Sequence, residues 1–212
     1  MADILYSDLI NEVLPHLAAD PSDPVTENAI KRAVIEFCRE SWIWRFLPDP
    51  QNVRSGLLEY DLEPPSCADI AAVIDVEYNK VPLTPKSLVW LNKEIPGWRT
   101  TRAAVKHYTQ IDTEQLILAP LPADNITNGL AMTLALQPSQ SAACFPKWIA
   151  NQYIYPIAEG AVAKLMLMPG KPWTDLATGQ DHRIRFEQAF NDAREAAVSA
   201  LGRAAVRTSP QH

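Results

Sequence analysis

Residues 146–173, PKWIANQYIYPIAEGAVAKLMLMPGKPW, combine an almost wholly apolar run with an abrupt stop. The run predicts one helix from Pro146 to about Met168, because a proline costs nothing at the first helical position. Apolar side chains occupy one face of this helix and extend round its side, so other parts of the chain must cover it. Pro156 removes one hydrogen bond within the helix, which predicts a kink between Gln152 and Pro156.

The prolines and the glycine after Met168 cannot continue this helix. Thr174 or Asp175 can cap a new helix, predicted from Asp175 to Ala205 and weakened at Thr178-Gly179. Its apolar and alanine positions follow a spacing close to heptad repeats, which favours close packing on another helix. The candidate structural junction comprises Pro156, Pro169, Gly170, Pro172 and Trp173.

The first 43 residues are also predicted to be helical. Ser7 can cap a first helix that Pro15 bends or ends, and Asp23-Pro24 can open a second helix. Helical spacing places several residues of the second helix on one buried face, namely Ile30, Val34, Phe37, Cys38 and Ser41.

Between the helical ends, the hydrophobic period changes from 3.6 to 2. Alternation in LLEYDL (57–62), AAVIDVEY (71–78) and GLAMTLALQ (129–137) predicts an antiparallel sheet with one buried face, and EQLILAP (114–120) is a fourth candidate strand. A short helix is predicted to start at Thr84-Pro85, and Asn128-Gly129 predicts a hairpin loop.

These patterns predict an α+β fold. Residues 1–43 and 146–212 form a helical bundle domain, and residues 44–145 form an inserted, antiparallel β-rich domain with one short helix. The composition, 47% hydrophobic and 21% charged, is that of a globular protein.

Charge and motifs narrow the possible functions. A net charge of −6 disfavours non-specific binding to a polyanion. Residues 1–43 carry eight acids against three Lys and Arg, whereas the C-terminal end has a balance of +1, which suits docking on different partners at the two ends. Glycine-rich phosphate loops, the GxSxG motif and metal-binding histidine spacings are absent from the sequence, so we expect no cofactor, metal or catalytic residue.

The location of the protein is also constrained by its sequence. Three widely spaced cysteines without a CxxC motif indicate reduced thiols in a cytosol-like compartment. MADILYSDLINEV has no basic region followed by a long apolar run, so we expect no signal peptide. The longest apolar stretch contains Pro, Glu and Lys, so we also expect no membrane span.

Paired carboxylates lie on two of the predicted strands. Glu59 and Asp61 share one strand face, and Asp75 and Glu77 share another. Such pairs are typical of a solvated outer face, but they could also line a channel or, with His107, serve a small hydrolase. Asp181-His182 is interpreted as a surface pair, because adjacent helical residues point about 100° apart.

Several stretches carry a resemblance to a known family. They are EFCRESWIWR (36–45), GLLEYDLEPP (56–65), IAAVIDVEYNKVPLTP (70–85), LMLMPGKPWTD (165–175) and HRIRFEQAFNDAREAA (182–197). Together they resemble the head-to-tail adaptor proteins of tailed bacteriophages, from about Leu5 to Ala205. Thr178-Gly179 departs from that pattern, since a better helix former is expected there.

The resemblance implies a structural protein in the neck of a virion, assembled in the host cytoplasm. Such adaptors form a ring, usually of twelve copies, under the portal protein and extend the DNA channel towards the tail. The implied partners are other copies of the chain, the portal, the next tail component and double-stranded DNA that passes without specific binding. No membrane partner is implied.

Candidate surfaces follow from the resemblance, for the portal, and from the paired carboxylates, for the channel or the tail. The portal-docking candidates are Arg194, Arg203, Arg207, Thr208, Pro210 and His212. The channel-lining or tail-facing candidates are Glu59, Asp61, Asp75 and Glu77. The alternatives are a non-viral or regulatory helical module that binds another protein, and the small hydrolase described above.

Overall fold

A computed structural model describes residues 2–202 of the chain, and the side chains of residues 2–199. The fold is mixed α+β, with five α-helices and several antiparallel sheets in the described residues. In chain order, the elements are β1 (Asp3–Leu5), α1 (Ile10–Val13), α2 (Asp23–Ser41), β2 (Arg45–Phe46), β3 (Gln51–Val53), β4 (Glu59–Asp61), β5 (Ala68–Tyr78), β6 (Val81–Pro82), β7 (Thr84–Pro85), α3 (Leu88–Glu94), β8 (Arg102–Ala103), β9 (His107–Thr109), β10 (Gln115–Ala119), β11 (Leu121–Pro122), β12 (Ile126–Pro138), β13 (Cys144–Pro146), α4 (Lys147–Met166) and α5 (Leu176–Gly202).

The chain divides into two compact units. The first contains the described residues up to Ile43 and from Pro138 onwards, and the second is Trp44–Gln137. Residues 138–145, which were predicted to lie in the inserted domain, belong to the first unit. The reason is that β13 pairs with β1, which ties this segment to the N-terminus of the chain.

In the first unit, α2, α4 and α5 pack against one another. The predicted buried face of α2 is confirmed, since Ile30, Val34, Phe37, Cys38 and Ser41 are all fully buried. The predicted first helix is interrupted, because 3-10 turns at Tyr6–Leu9 and Leu14–His16 flank the single turn of α1. Pro15 lies in the second of these turns, where its ring prevents a continuous α-helix.

α4 contains the predicted kink. Tyr153 has φ −128° and ψ 24°, which are not helical values. Pro156 explains this position, because it cannot donate the hydrogen bond that the preceding turn requires. The helix itself begins at Lys147, since Pro146 is the last residue of β13.

α5 is continuous from Leu176 to Gly202, so the predicted weakness at Thr178-Gly179 is wrong. Asp175 caps the helix, accepting hydrogen bonds from the Thr178 N–H at 3.1 Å and the Thr178 hydroxyl at 2.7 Å. A Cβ at Gly179 would lie 2.9 Å from Cβ of Met166. The glycine therefore permits α5 to approach the last turn of α4.

The second unit contains two main sheets. One has the strand order β4-β10-β9-β7, and the other has the order β2-β12-β5-β6 with β3 also paired to β12. The predicted antiparallel pairing holds for most strands, but β7–β9 and β8–β11 are parallel. Side chains from both main sheets form one hydrophobic cluster, which includes Tyr60, Val76, Leu116, Leu118, Leu130, Leu134 and Leu136.

β10 is buried on both faces. Leu116 and Leu118 belong to the main cluster, whereas Ile117 packs with Leu91 and Trp98 in a second, smaller cluster. This double burial explains why LILA (116–119) is continuously apolar and does not alternate.

Two local predictions in this unit are wrong. α3 begins at Leu88, with Ser87 accepting a hydrogen bond from the Trp90 N–H at 3.2 Å, while Thr84 and Pro85 form β7. Asn128-Gly129 is not a hairpin loop but part of a β-bulge within β12, where Asn128 has φ 51°.

Candidate functional site

The first predicted acidic pair lies on β4. Glu59 and Asp61 are exposed, and Tyr60 between them is buried. The Gln115 side chain, from the neighbouring strand β10, donates a hydrogen bond to Oδ1 of Asp61 at 3.3 Å. Both carboxylates therefore lie on the outward face of the four-stranded sheet.

The second pair lies on β5, in the other main sheet. Asp75 is exposed and Glu77 is half-buried. Burial raises the pKa of Tyr108, and the negative charge of Asp75 raises it further. The alternating strands predicted one antiparallel sheet, but β4 and β5, and with them the two acidic pairs, lie in different sheets.

A cleft of about 630 Å³ runs along β4, and we call it the β4 cleft. Its apolar lining comes from Phe46, Leu57, Tyr60 and Met132. Its carboxylates come from Asp49, Glu59, Asp61 and Glu63, and Arg54 is the basic residue in the lining. These formal charges sum to −3, so the cleft favours cationic groups.

Among the portal-docking candidates, Arg194 is the one with a described side chain. Its guanidinium lies 4.0 Å from the centroid of the Trp42 ring, a cation–π contact between α5 and the residue that ends α2. The remaining candidates, Arg203, Arg207, Thr208, Pro210 and His212, lie outside the described residues.

The predicted junction residues lie between α4 and α5, apart from Pro156, which is inside α4. Gly170 has φ 70°, a left-handed value that glycine adopts without strain, and Pro169 and Pro172 are exposed beside it. Thr174 folds this segment back, because its hydroxyl donates to the Met168 carbonyl and accepts from the Lys171 N–H. Trp173 is half-buried. The junction therefore sets how α5 returns along α4.

His182 is not a surface residue, so that interpretation is wrong. It is 7% exposed, and its Nδ1 lies 2.6 Å from Oε2 of Glu159 on α4. Its ring also contacts His16 edge to face, with centroids 5.9 Å apart, and Arg185 approaches the same glutamate at 3.8 Å. α5 turns His182 towards α4, whereas Asp181 beside it is exposed, as expected for helical neighbours.

A charged network between three helices was not predicted. Glu36 of α2 pairs with Lys164 of α4 and, at 3.0 Å, with Arg183 of α5. Arg183 also pairs with Glu187 at 2.5 Å. The sequence contained a signal in α4, since Lys164 is one of few charges in a helix that is otherwise largely apolar.

His107 does not form the acid–base pair that a hydrolase would require. Its ring contacts Trp90 with centroids 5.1 Å apart. Burial lowers the pKa of His107, and the positive charges of Lys86 and Lys106 lower it further. No carboxylate among the described residues contributes to that shift, so the hydrolase alternative gains no support from this geometry.

Two further observations concern ligands and membranes. Within residues 2–202, as far as they are described, no three His, Cys, Asp or Glu side chains are grouped to hold a metal ion. In the same part of the chain, no helix combines the length and the hydrophobicity needed to cross a membrane.

Comparison with known proteins identifies the class. The model of the SU10 adaptor protein family matches residues 4–210, which is nearly the whole chain, and a search of curated proteins gave no match. The chain belongs to this family of phage head-to-tail adaptor proteins, as its sequence resemblance predicted. It is thus a structural component of a virion that interacts with other virion proteins.

Proposed function

We propose that the protein is the ring-forming subunit of a head-to-tail connector. Twelve copies form a ring under the portal, extend the DNA channel and join it to the next tail component in the neck of the virion. The family match over residues 4–210 is the observation that carries this proposal. Assembly occurs in the host cytoplasm, and the role involves no catalysis.

In this proposal, the predicted helical bundle domain of residues 1–43 and 146–212, extended by residues 138–145, acts as one body, and residues 44–137 act as an inserted β-rich domain. The bundle supplies the contacts between neighbouring copies, which are heterologous because a ring uses two different surfaces of each subunit. α2, α4 and α5 pack against one another, and Glu36 forms ion pairs with Lys164 and Arg183 of the other two helices. This packing supports a rigid bundle that can present contact surfaces to neighbouring copies.

The portal contact is assigned to the end of α5 and the residues after it. Arg194, Arg203, Arg207, Thr208, Pro210 and His212 form this docking segment. Its basic residues support electrostatic docking, and ordering the segment on the portal costs conformational entropy that the new interface must offset.

The acidic strand residues Glu59, Asp61, Asp75 and Glu77 are assigned to the channel wall or to the surface that faces the tail. Negative side chains repel the phosphates of double-stranded DNA, whereas clustered Arg and Lys would retain them. DNA therefore passes through the ring without being bound specifically.

The test compares the native mass of the full-length protein, alone and mixed with a portal ring, with that of a variant lacking residues 203–212. The full-length chain is expected to join the portal as a ring, and the truncated chain is expected to keep its helical content and lose portal binding. A full-length variant with Arg203→Gln and Arg207→Gln separates the contribution of charge from that of chain length. Full retention of binding by the truncated chain would contradict the docking assignment, and a full-length protein indifferent to the portal would contradict the connector role.

A further inference from the structure

β4 is the edge strand of its sheet, with β10 on one side and no paired strand among the described residues on the other. In an antiparallel pair, alternate residues exchange hydrogen bonds with the partner strand. The Leu62 N–H donates to the Glu114 carbonyl at 2.7 Å, and the Leu58 carbonyl accepts from the Leu118 N–H at 2.9 Å. Even-numbered residues of this segment therefore bond to β10.

The backbone groups of Glu59 and Asp61 point the opposite way, towards the β4 cleft. The Asp61 carbonyl illustrates this direction, because it accepts a hydrogen bond from the Gln51 side chain at 2.8 Å. Among the described residues, the N–H and C=O of Glu59 and the N–H of Asp61 meet no protein partner. An edge of this kind is a template for another strand.

The cleft beside this edge has two chemically distinct sides. Glu59 and Asp61 present carboxylates on the outward face, while Tyr60 lies on the apolar face with Leu57 and Met132. Because side chains alternate along a strand, a strand added to β4 would place every second residue opposite the carboxylates. The fitting sequence therefore alternates basic and apolar residues.

We propose that the β4 cleft binds an extended, basic segment of another virion protein, which joins the sheet as an additional strand beside β4. Basic residues of that segment pair with Glu59 and Asp61, and its apolar residues pack against Leu57, which lines the cleft and is 40% exposed. This partner is the tail-facing contact of the connector, so its biological setting rests on the proposed function. Binding of a peptide at this edge is independent of the portal.

A second copy of this chain does not fit the cleft through its own β4. Two copies paired edge to edge by a two-fold axis would bring Glu59 and Asp61 of one copy against the same residues of the other. Like charges on opposed strands are destabilising. The negative balance of the cleft therefore selects a partner of opposite charge.

The test uses the full-length protein and three labelled peptides. They are acetyl-VKVKVKV-amide, its glutamate counterpart acetyl-VEVEVEV-amide, and the lysine peptide N-methylated at alternate residues; this third peptide is made in two forms, methylated at the lysines or at the valines. Fluorescence anisotropy is expected to show the lysine peptide binding about tenfold or more tightly than the glutamate peptide and than the N-methylated form whose methyl groups face β4, and more weakly as salt rises. The other N-methylated form should still bind, because its methyl groups face away from β4. Hydrogen exchange is expected to slow at the amides of Glu59 and Asp61 when the lysine peptide is bound.

Two variants test whether the carboxylates of the β4 cleft are responsible for peptide binding. Glu59→Lys combined with Asp61→Lys is expected to weaken binding of the lysine peptide by about tenfold, since both carboxylates become repulsive. Asp192→Lys, an exposed change on α5 in the other unit, is the matched control and should leave binding unchanged. Circular dichroism checks that both proteins keep their fold.

Several outcomes would overturn the proposal. Strand addition would be excluded by any of three results: the lysine peptide fails to bind, both N-methylated forms bind as tightly as the lysine peptide, or the Glu59 and Asp61 amides are not protected. Self-association of the protein that the double lysine variant abolishes would identify a second copy as the occupant instead. None of these results alters the portal assay, so failure here is distinguishable from failure of the connector role.

Discussion

Replacing Gly160 with alanine tests how closely α4 and α5 approach each other. A Cβ at this position would lie 2.7 Å from Cδ2 and from Cε2 of Phe186, whereas ordinary contacts begin near 3.4 Å. The Phe186 ring is fully buried and also contacts Phe37 and Phe190. It must retreat by about 0.7 Å, and the surrounding rings leave little room for this movement.

Two opposing contributions decide the size of the effect. Overpacking a core costs about 1–3 kcal/mol, and replacing a helical glycine with alanine gains about 1 kcal/mol. The Gly160→Ala variant should therefore lose about 1 kcal/mol of unfolding free energy. For a chain of this length, that loss lowers Tm by about 2–4 °C.

Urea unfolding followed by circular dichroism measures this difference, with Asn151→Ala, an exposed change in the same helix, as the control. A second measurement repeats Gly160→Ala in a Phe186→Leu background, where the ring is gone. There the substitution should become stabilising by about 1 kcal/mol, because only the helix-propensity gain remains. A destabilisation of the same size in both backgrounds would refute the assigned contact.

Two further predictions concern polar groups of the first unit. Glu36→Gln leaves the cations of Lys164 and Arg183 without their shared, partly buried carboxylate. We expect the free energy of unfolding, measured in urea, to fall by about 1–3 kcal/mol. A loss no larger than that of the exposed control Asp192→Asn would contradict the network. Hydrogen bonds from Thr178 lower the pKa of Asp175 below its usual 3.8. The stability that the Asp175 carboxylate contributes is therefore present above pH 3.8 and is lost as pH falls through the lowered pKa. Asp175→Asn should reduce this acid dependence of Tm, and an unchanged Tm profile would contradict the cap.

The element types of the helical regions could be predicted from local patterns. The kink near Pro156, the stop after Met168 and the buried face of α2 all follow from backbone restrictions or helical spacing, which act within a few residues. The predictions at Asn128-Gly129 and Gly179 were wrong because the sequence pattern does not show what each glycine packs against. Gly129 accommodates Ile126 inside a bulge, where a Cβ would lie 2.7 Å from the isoleucine Cβ, and Gly179 accommodates α4. A glycine signals that space is needed, but not which neighbour needs it.

The candidate site was also predictable only in part from the sequence. Alternation along the strand was enough to place Glu59 and Asp61 on an outward face, because neighbouring side chains of a strand point to opposite sides. The open edge of β4 required knowledge of its partner β10, which lies more than 50 residues later in the chain. Periodicity reports which side chains share a face, whereas strand pairing decides which backbone groups stay unbonded.

The sequence by itself determined the family, the order of helical and strand regions, the kink and stop of the central helix, and the acidic character of the β4 and β5 faces. These features depend on residue identity, local backbone limits and near-neighbour spacing. Only the tertiary structure decided that His182 is buried against Glu159, that Glu36 joins three helices, and that β4 lies at a sheet edge beside an acidic cleft. Those features depend on contacts between distant segments, which form when the chain buries its apolar faces and brings the remaining polar groups together.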